Sequence, residues 1–137
     1  MNHRRRKKQT RRLFGAIVEG DAARVRAALR SGADAEGTDA GGTTPLYEAA
    51  VNGRAKIAGL LLAAGAAPDA ESRGPGAEGT PLCAAACWGH VETVRVLLAQ
   101  GADPDLREDG GTGWSPLEWA LHGPHPETVA VLRGAGA

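Results

Sequence analysis

"TPLCAAACWGHVETVRVLLAQGADPD", residues 80–105, reads as two short helices and the turns that end them. Thr80 offers a side-chain oxygen to the free amides of a first helical turn, and Pro81 stands where no backbone donor is needed. Small and aliphatic residues run on to Gly89, which breaks the helix because a residue without a Cβ adopts the left-handed turn most readily. Val94, Leu97 and Leu98 then recur on one face of a second helix, and Gly101 ends it in the same manner. The stretch predicts two antiparallel helices followed by an extended loop.

One such pair cannot persist alone. Burying three or four aliphatic side chains gives roughly 1.5–3 kcal/mol each, whereas ordering some thirty residues costs about 1–2 kcal/mol per residue in backbone entropy. Stacking against similar pairs, with apolar faces shared, offsets the deficit.

The rest of the chain supplies those pairs. "TTPLYEAAVNG" opens at Thr43 and "SPLEWALHG" at Ser115, so that Pro45, Pro81 and Pro116 stand 36 and 35 residues apart. Each proline is followed twenty residues later by a glycine of a Gly-Ala pair, Gly65, Gly101 and Gly136. The same interval counted back from Gly32 reaches Arg12, so "RLFGAIVEGDAARVRAALRSGAD" is a first copy without the Thr-Pro opening, and its Gly20 matches Gly53 and Gly89. Four units result.

The Thr-Pro-Leu opening, the mid-unit Gly89-His90, the Leu-Leu pair and the Gly-Ala-Asp turn of "GADPD" resemble the ankyrin-repeat family over residues 13–137. The resemblance implies an all-α solenoid of stacked helix-turn-helix units, approximately 13–42, 43–78, 79–113 and 114–137. First helices would line a concave surface, and the loops would project as hairpin-like fingers. It further implies a non-enzymatic module that binds another protein on those two surfaces, as a monomer and without a cofactor.

Where the family carries a His after Thr-Pro-Leu, this chain has Tyr47, Cys83 and Glu118. Glu118 three residues after Ser115 predicts a capping box. Pro126 should open the last helix, and Arg133 replaces the apolar residue found at Leu98, as a solvent-facing terminal unit requires. Arg12 and Ala28 soften the first unit likewise, so both ends read as caps and the array is expected to be complete. The second and third loops are longer than the first, with extra residues in "ESRGPGAEG" and "REDGGTG", and insertions of this kind collect on one face of a repeat array.

The positions that vary most freely in the family are the finger tips and the two residues before the mid-unit glycine. Here they are Thr38, Ala40, Thr43, Val51 and Asn52 in the second unit, Arg73, Glu78, Cys87 and Trp88 in the third, and Trp114 and His122 in the fourth. In a chain with three Trp, one Tyr and one Phe, Trp88 and Trp114 stand out as interface anchors, whereas Trp119 is expected to pack between helices. The fingers carry ten acids against Arg73 and Arg107. Asp34, Glu36, Asp69, Asp103 and Asp105 are expected to support their own turns, which leaves Asp39, Glu71, Glu78, Glu108 and Asp109 as an acidic rim suited to a basic partner.

Charge is unevenly spread. Residues 1–12, "MNHRRRKKQTRR", hold seven of the sixteen Lys and Arg and no acid, leaving nine bases against sixteen acids in the remainder. The run reads as a disordered basic arm. Its alternative reading is a tether to nucleic acid or an anionic membrane through phosphate contacts, although it lacks interleaved aromatics for stacking.

Catalytic and metal chemistry find little support. Cys83, Cys87 and His90 share an i, i+4, i+7 spacing, but Gly89 should end the helix before His90 and no fourth ligand is in place, so no metal is expected. "GPGAEG" lacks the Lys and flanking strand of a phosphate loop. Cys83 and Cys87, four apart on one helix, are expected as free thiols of a cytosolic protein. The apolar run after "TRR" ends at Glu19, too soon for the core of an export signal. High Ala, Gly and Arg give a composition like that of a GC-rich bacterial genome.

Overall fold

A computed structural model describes residues 2–137. The chain forms paired helices in two parallel rows. α1 (His3–Glu19), α3 (Pro45–Val51), α5 (Pro81–Trp88) and α8 (Pro116–His122) are the first helices of the four units. α2 (Ala22–Arg30), α4 (Ala55–Ala63), α6 (Val91–Ala99) and α9 (Pro126–Gly134) are the second. Each first helix packs on its own second helix and on the first helix of the next unit, and the second helices contact one another in the same order. The core is therefore one continuous ribbon, with Leu13, Ile17, Leu61, Leu82, Leu97 and Leu132 all fully buried along it.

The opening signals work as the spacing predicts. Thr44 Oγ1 accepts the Tyr47 amide at 3.1 Å, Thr80 Oγ1 the Cys83 amide at 3.1 Å, and Ser115 Oγ the Glu118 amide at 3.2 Å. The capping box at Ser115 is only half formed. The Glu118 carboxylate turns away to Arg107, with Oε1 2.7 Å from the guanidinium, because that partner carries a full charge. Pro126 opens α9, and Arg133 is exposed on it.

The basic arm is a correction. Residues 3–12, expected to be disordered, are the N-terminal part of α1, capped by the Asn2 side chain, which accepts the Arg5 amide at 2.8 Å. The helix is continuous because Gln9, Leu13, Ala16 and Ile17 are buried one turn apart, and Arg and Lys are good helix formers between them.

The longer loops differ in kind. In the second finger, β1 (Ser72–Gly74) and β2 (Ala77–Gly79) pair antiparallel, with Arg73 opposite Glu78 and the turn made by Pro75-Gly76. In the third, α7 (Glu108–Gly111) is a single turn, left-handed at Asp109 (φ 51°, ψ 49°) and Gly110 (φ 63°, ψ 25°).

Candidate protein-binding face

A ladder of side chains joins the units beside the mid-unit glycines. Arg54, His90 and His125 occupy the same place in three successive units, each just before a second helix. Arg54 donates to the Val18 carbonyl at 2.7 Å, and the Nε2–H of His90 and of His125 donate to the carbonyls of Val51 at 3.0 Å and Cys87 at 2.9 Å. Each rung thus ends two residues before the glycine of the preceding unit. The glycines make room for it: a Cβ on Gly20, Gly53 or Gly89 would stand 2.7, 2.7 or 2.5 Å from a nitrogen of the Arg54, His90 or His125 side chain. His90 is thereby fixed as a structural donor, turned to the preceding unit.

The fingers are linked as well. Glu36 Oε1 accepts the Ala67 amide at 2.8 Å and Asp69 Oδ1 the Asp103 amide at 3.0 Å, so both serve the following unit and not their own turn. Asp34 and Asp103 do support their own turns, accepting the amides of Glu36 and Asp105 at 2.9 Å.

This wiring reduces the expected acidic rim. Asp39 Oδ1 is occupied by the Gly41 and Thr43 amides, and Glu71 Oε1 by the Gly110 amide at 3.2 Å. Glu108 lies half-buried beside Gly79 and Cys83. Burial raises its carboxyl above the ordinary range, and the charges of Asp109 and Glu71 push the same way. The Trp119 indole and the Cys83 thiol draw it back in part. Glu78 and Asp109 stay exposed.

The predicted contact residues divide. Thr38, Arg73 and Glu78 are exposed on the fingers. Thr43 is not available: it is 6% exposed, and Gly74 passes so close that a Cβ there would stand 2.1 Å from the Thr43 hydroxyl. Asn52 is half-buried and donates its amide to the Glu48 carbonyl at 2.8 Å, closing the end of α3. Val51 and Cys87 are half-buried, with their carbonyls held by the ladder.

Trp88 is 62% exposed at the end of α5, and Trp114 is 40% exposed just before α8. Trp114 and His122 come together, ring centroids 5.0 Å apart and edge to face, while Trp114 lies 4.7 Å from half-buried Trp119 at a tilt of 55°. The fourth unit thus presents a three-ring cluster that spacing alone did not assemble. Sequence reasoning also missed Val18 and Leu121, each 49% exposed. Val18 was findable, because it holds in the first unit the place that Val51 holds in the second.

The two thiols are free, and neither is poised to react. Burial pushes Cys83 up to about 12, and Cys87 is raised mainly by burial, with the Glu108 charge adding to it. Tyr47 is likewise pushed up to about 12, by burial first and the Glu108 charge second. Among the described residues, no three His, Cys, Asp or Glu side chains are grouped to hold a metal, and no helix is long and apolar enough to cross a membrane.

Residues 41–73 match the family described as ankyrin repeat, and residues 68–137 match the family described as ankyrin repeats (3 copies). The chain belongs to the ankyrin-repeat family. The first unit precedes the matched range, and the Arg54 rung and the packing of α1 on α3 join it to the ankyrin array. No curated protein matches the chain. Ankyrin repeats are generally protein–protein interaction modules and typically non-enzymatic.

Proposed function

We propose that this ankyrin array is a non-enzymatic, monomeric, cytosolic adaptor that holds a partner protein on its first-helix face and fingers, with Trp88 and Trp114 as anchors. The exposure of Trp88 carries the reading. An indole left in water on an otherwise aliphatic and Ala-built array is the residue type that contributes most at interfaces. The Trp114, Trp119 and His122 rings offer a second apolar surface with polar edges. Exposed Glu78 and Asp109 favour a partner with basic residues at the rim of the contact.

The test is capture of partners from the source cell by the parent chain and by Trp88→Ala and Trp114→Ala, followed by titration of the partner recovered. An anchor indole contributes on the order of 2 kcal/mol or more, so each variant should weaken binding by about thirtyfold. If both variants keep the parent's circular dichroism and capture the same proteins equally well, the anchors are wrongly assigned.

A further inference from the structure

The N-terminal half of α1 runs past the first finger and leaves a cleft of about 590 Å³ between them, within the size range of small-ligand sites. One wall is a single face of the helix, bearing Lys7, Arg11 and Phe14 at spacings of four and three. The other is the finger backbone with Asp34 and Asp39. Contact closes the inner end, where a Cβ on Gly37 would already stand 3.5 Å from the Thr10 hydroxyl.

Three features ask for an occupant. First, Lys7 and Arg11 stand one turn apart on the N-terminal half of α1, whose first turn holds no acid. Among the described residues, no carboxylate lies within ion-pair distance of Lys7 or Arg11, so both charges are open to an anion. Second, Gln9 lines the cleft and is 7% exposed. Its amide nitrogen reaches the Ser31 carbonyl at 3.4 Å, but its Oε1 is buried with no hydrogen-bond partner. A buried acceptor left empty is costly, and it calls for an N–H donor. Third, half-buried Phe14 offers a ring face among glycines of the finger. Asp34 and Asp39 do not contradict an anion: each has an oxygen committed to its own loop, and both stand on the wall opposite the cations.

We infer that this cleft binds a planar, N–H-bearing ring carrying an anionic group, the chemistry of a nucleoside monophosphate. The ring lies against Phe14 and donates to Gln9 Oε1, while the phosphate meets Lys7 and Arg11. The site is separate from the Trp88 and Trp114 face, and stands or falls independently of it.

The full chain, labelled with nitrogen-15, is titrated with adenosine 5′-monophosphate, with adenosine alone, with inorganic phosphate alone and with a short single-stranded RNA. Saturable shifts confined to the Gln9 side-chain amide and to residues of α1 and the first finger are expected with the monophosphate. Adenosine and phosphate should each bind at least about tenfold more weakly. Lys7→Ala/Arg11→Ala should lose about tenfold toward the monophosphate and nothing toward adenosine, and Phe14→Ala should lose affinity for both. The charge variant alters exposed positions, so its fold, checked by circular dichroism, should match the parent.

Four results would overturn the inference. They are no saturable shift at millimolar monophosphate, phosphate alone binding as tightly, equal affinity in the charge variant, and binding of RNA without binding of the monophosphate.

Discussion

Replacing Gly89 with alanine separates two costs that meet at one residue. Gly89 ends α5 at φ 69° and ψ 28°, a left-handed conformation in which a Cβ costs about 1–2 kcal/mol. The same Cβ would stand 2.5 Å from His125 Nδ1 and 2.7 Å from Cγ, so the imidazole must swing away. Its 2.9 Å bond to the Cys87 carbonyl then breaks, for roughly another 1–2 kcal/mol with the carbonyl partly dry. Gly89→Ala should therefore lower stability by about 2–4 kcal/mol in urea unfolding, seen as a lower midpoint at unchanged slope. Gly101 is the control: at φ 96° it is strained by a Cβ, but no atom lies within 4 Å of that Cβ, so Gly101→Ala carries only the backbone cost. In a His125→Ala background the ring is gone, and Gly89→Ala should fall to the Gly101→Ala value. Equal costs for Gly89→Ala with and without His125, or a cost no larger than at Gly101, would refute the close-approach argument.

Further outcomes follow from burial and charge. Leu97→Ala empties a fully buried site in the middle of the ribbon and should lower stability by about 2–5 kcal/mol, whereas Trp88→Ala should stay within about 0.5 kcal/mol, both read from urea midpoints. At mildly alkaline pH a thiol reagent should modify Cys87 slowly and Cys83 only on unfolding; rapid modification of both would contradict the raised thiols. The Glu108 carboxyl is raised in the folded chain, so the folded state holds its proton more tightly than the unfolded one. Stability therefore falls as pH rises from the ordinary value of 4.5 through the raised one. Glu108→Gln should match the parent at acid pH, exceed it at neutral pH and flatten that slope; an unchanged slope across the same urea series would exclude Glu108 as its source.

Spacing made the repeating parts legible, because Thr-Pro at one end and glycine at the other act through local backbone geometry that any copy must reproduce. The Thr44, Thr80 and Ser115 caps are of this kind. What spacing concealed depends on contacts between units. Glu36 and Asp69 look like turn residues in their own loops, and only the stacking reveals that their carboxylates serve the next loop. Residues 3–12 look unfoldable because their charge is so dense, yet Gln9 falls on the buried stripe that continues through Leu13, Ala16 and Ile17. That stripe, together with Asn2 as a cap, was the signal available. Thr43 was misread for the opposite reason: a finger position is exposed only until the longer neighbouring finger folds back as β1 and β2 across it.

The ladder also explains how the array keeps stability and recognition apart at the same residues. Each rung from Arg54, His90 or His125 ends on a backbone carbonyl, of Val18, Val51 or Cys87, so the side chain of the accepting residue takes no part in the bond. A carbonyl is present whatever side chain stands there, and the units stay joined while that side chain and the next one change. Trp88 follows Cys87 at such a place, and its indole is left in water because neither the rung nor the buried ribbon uses it. A substitution at Trp88 should then change binding without changing stability, and one at His125 should do the reverse. A Trp88 variant that unfolds as readily as a His125 variant would show that the two roles are not separable in this chain.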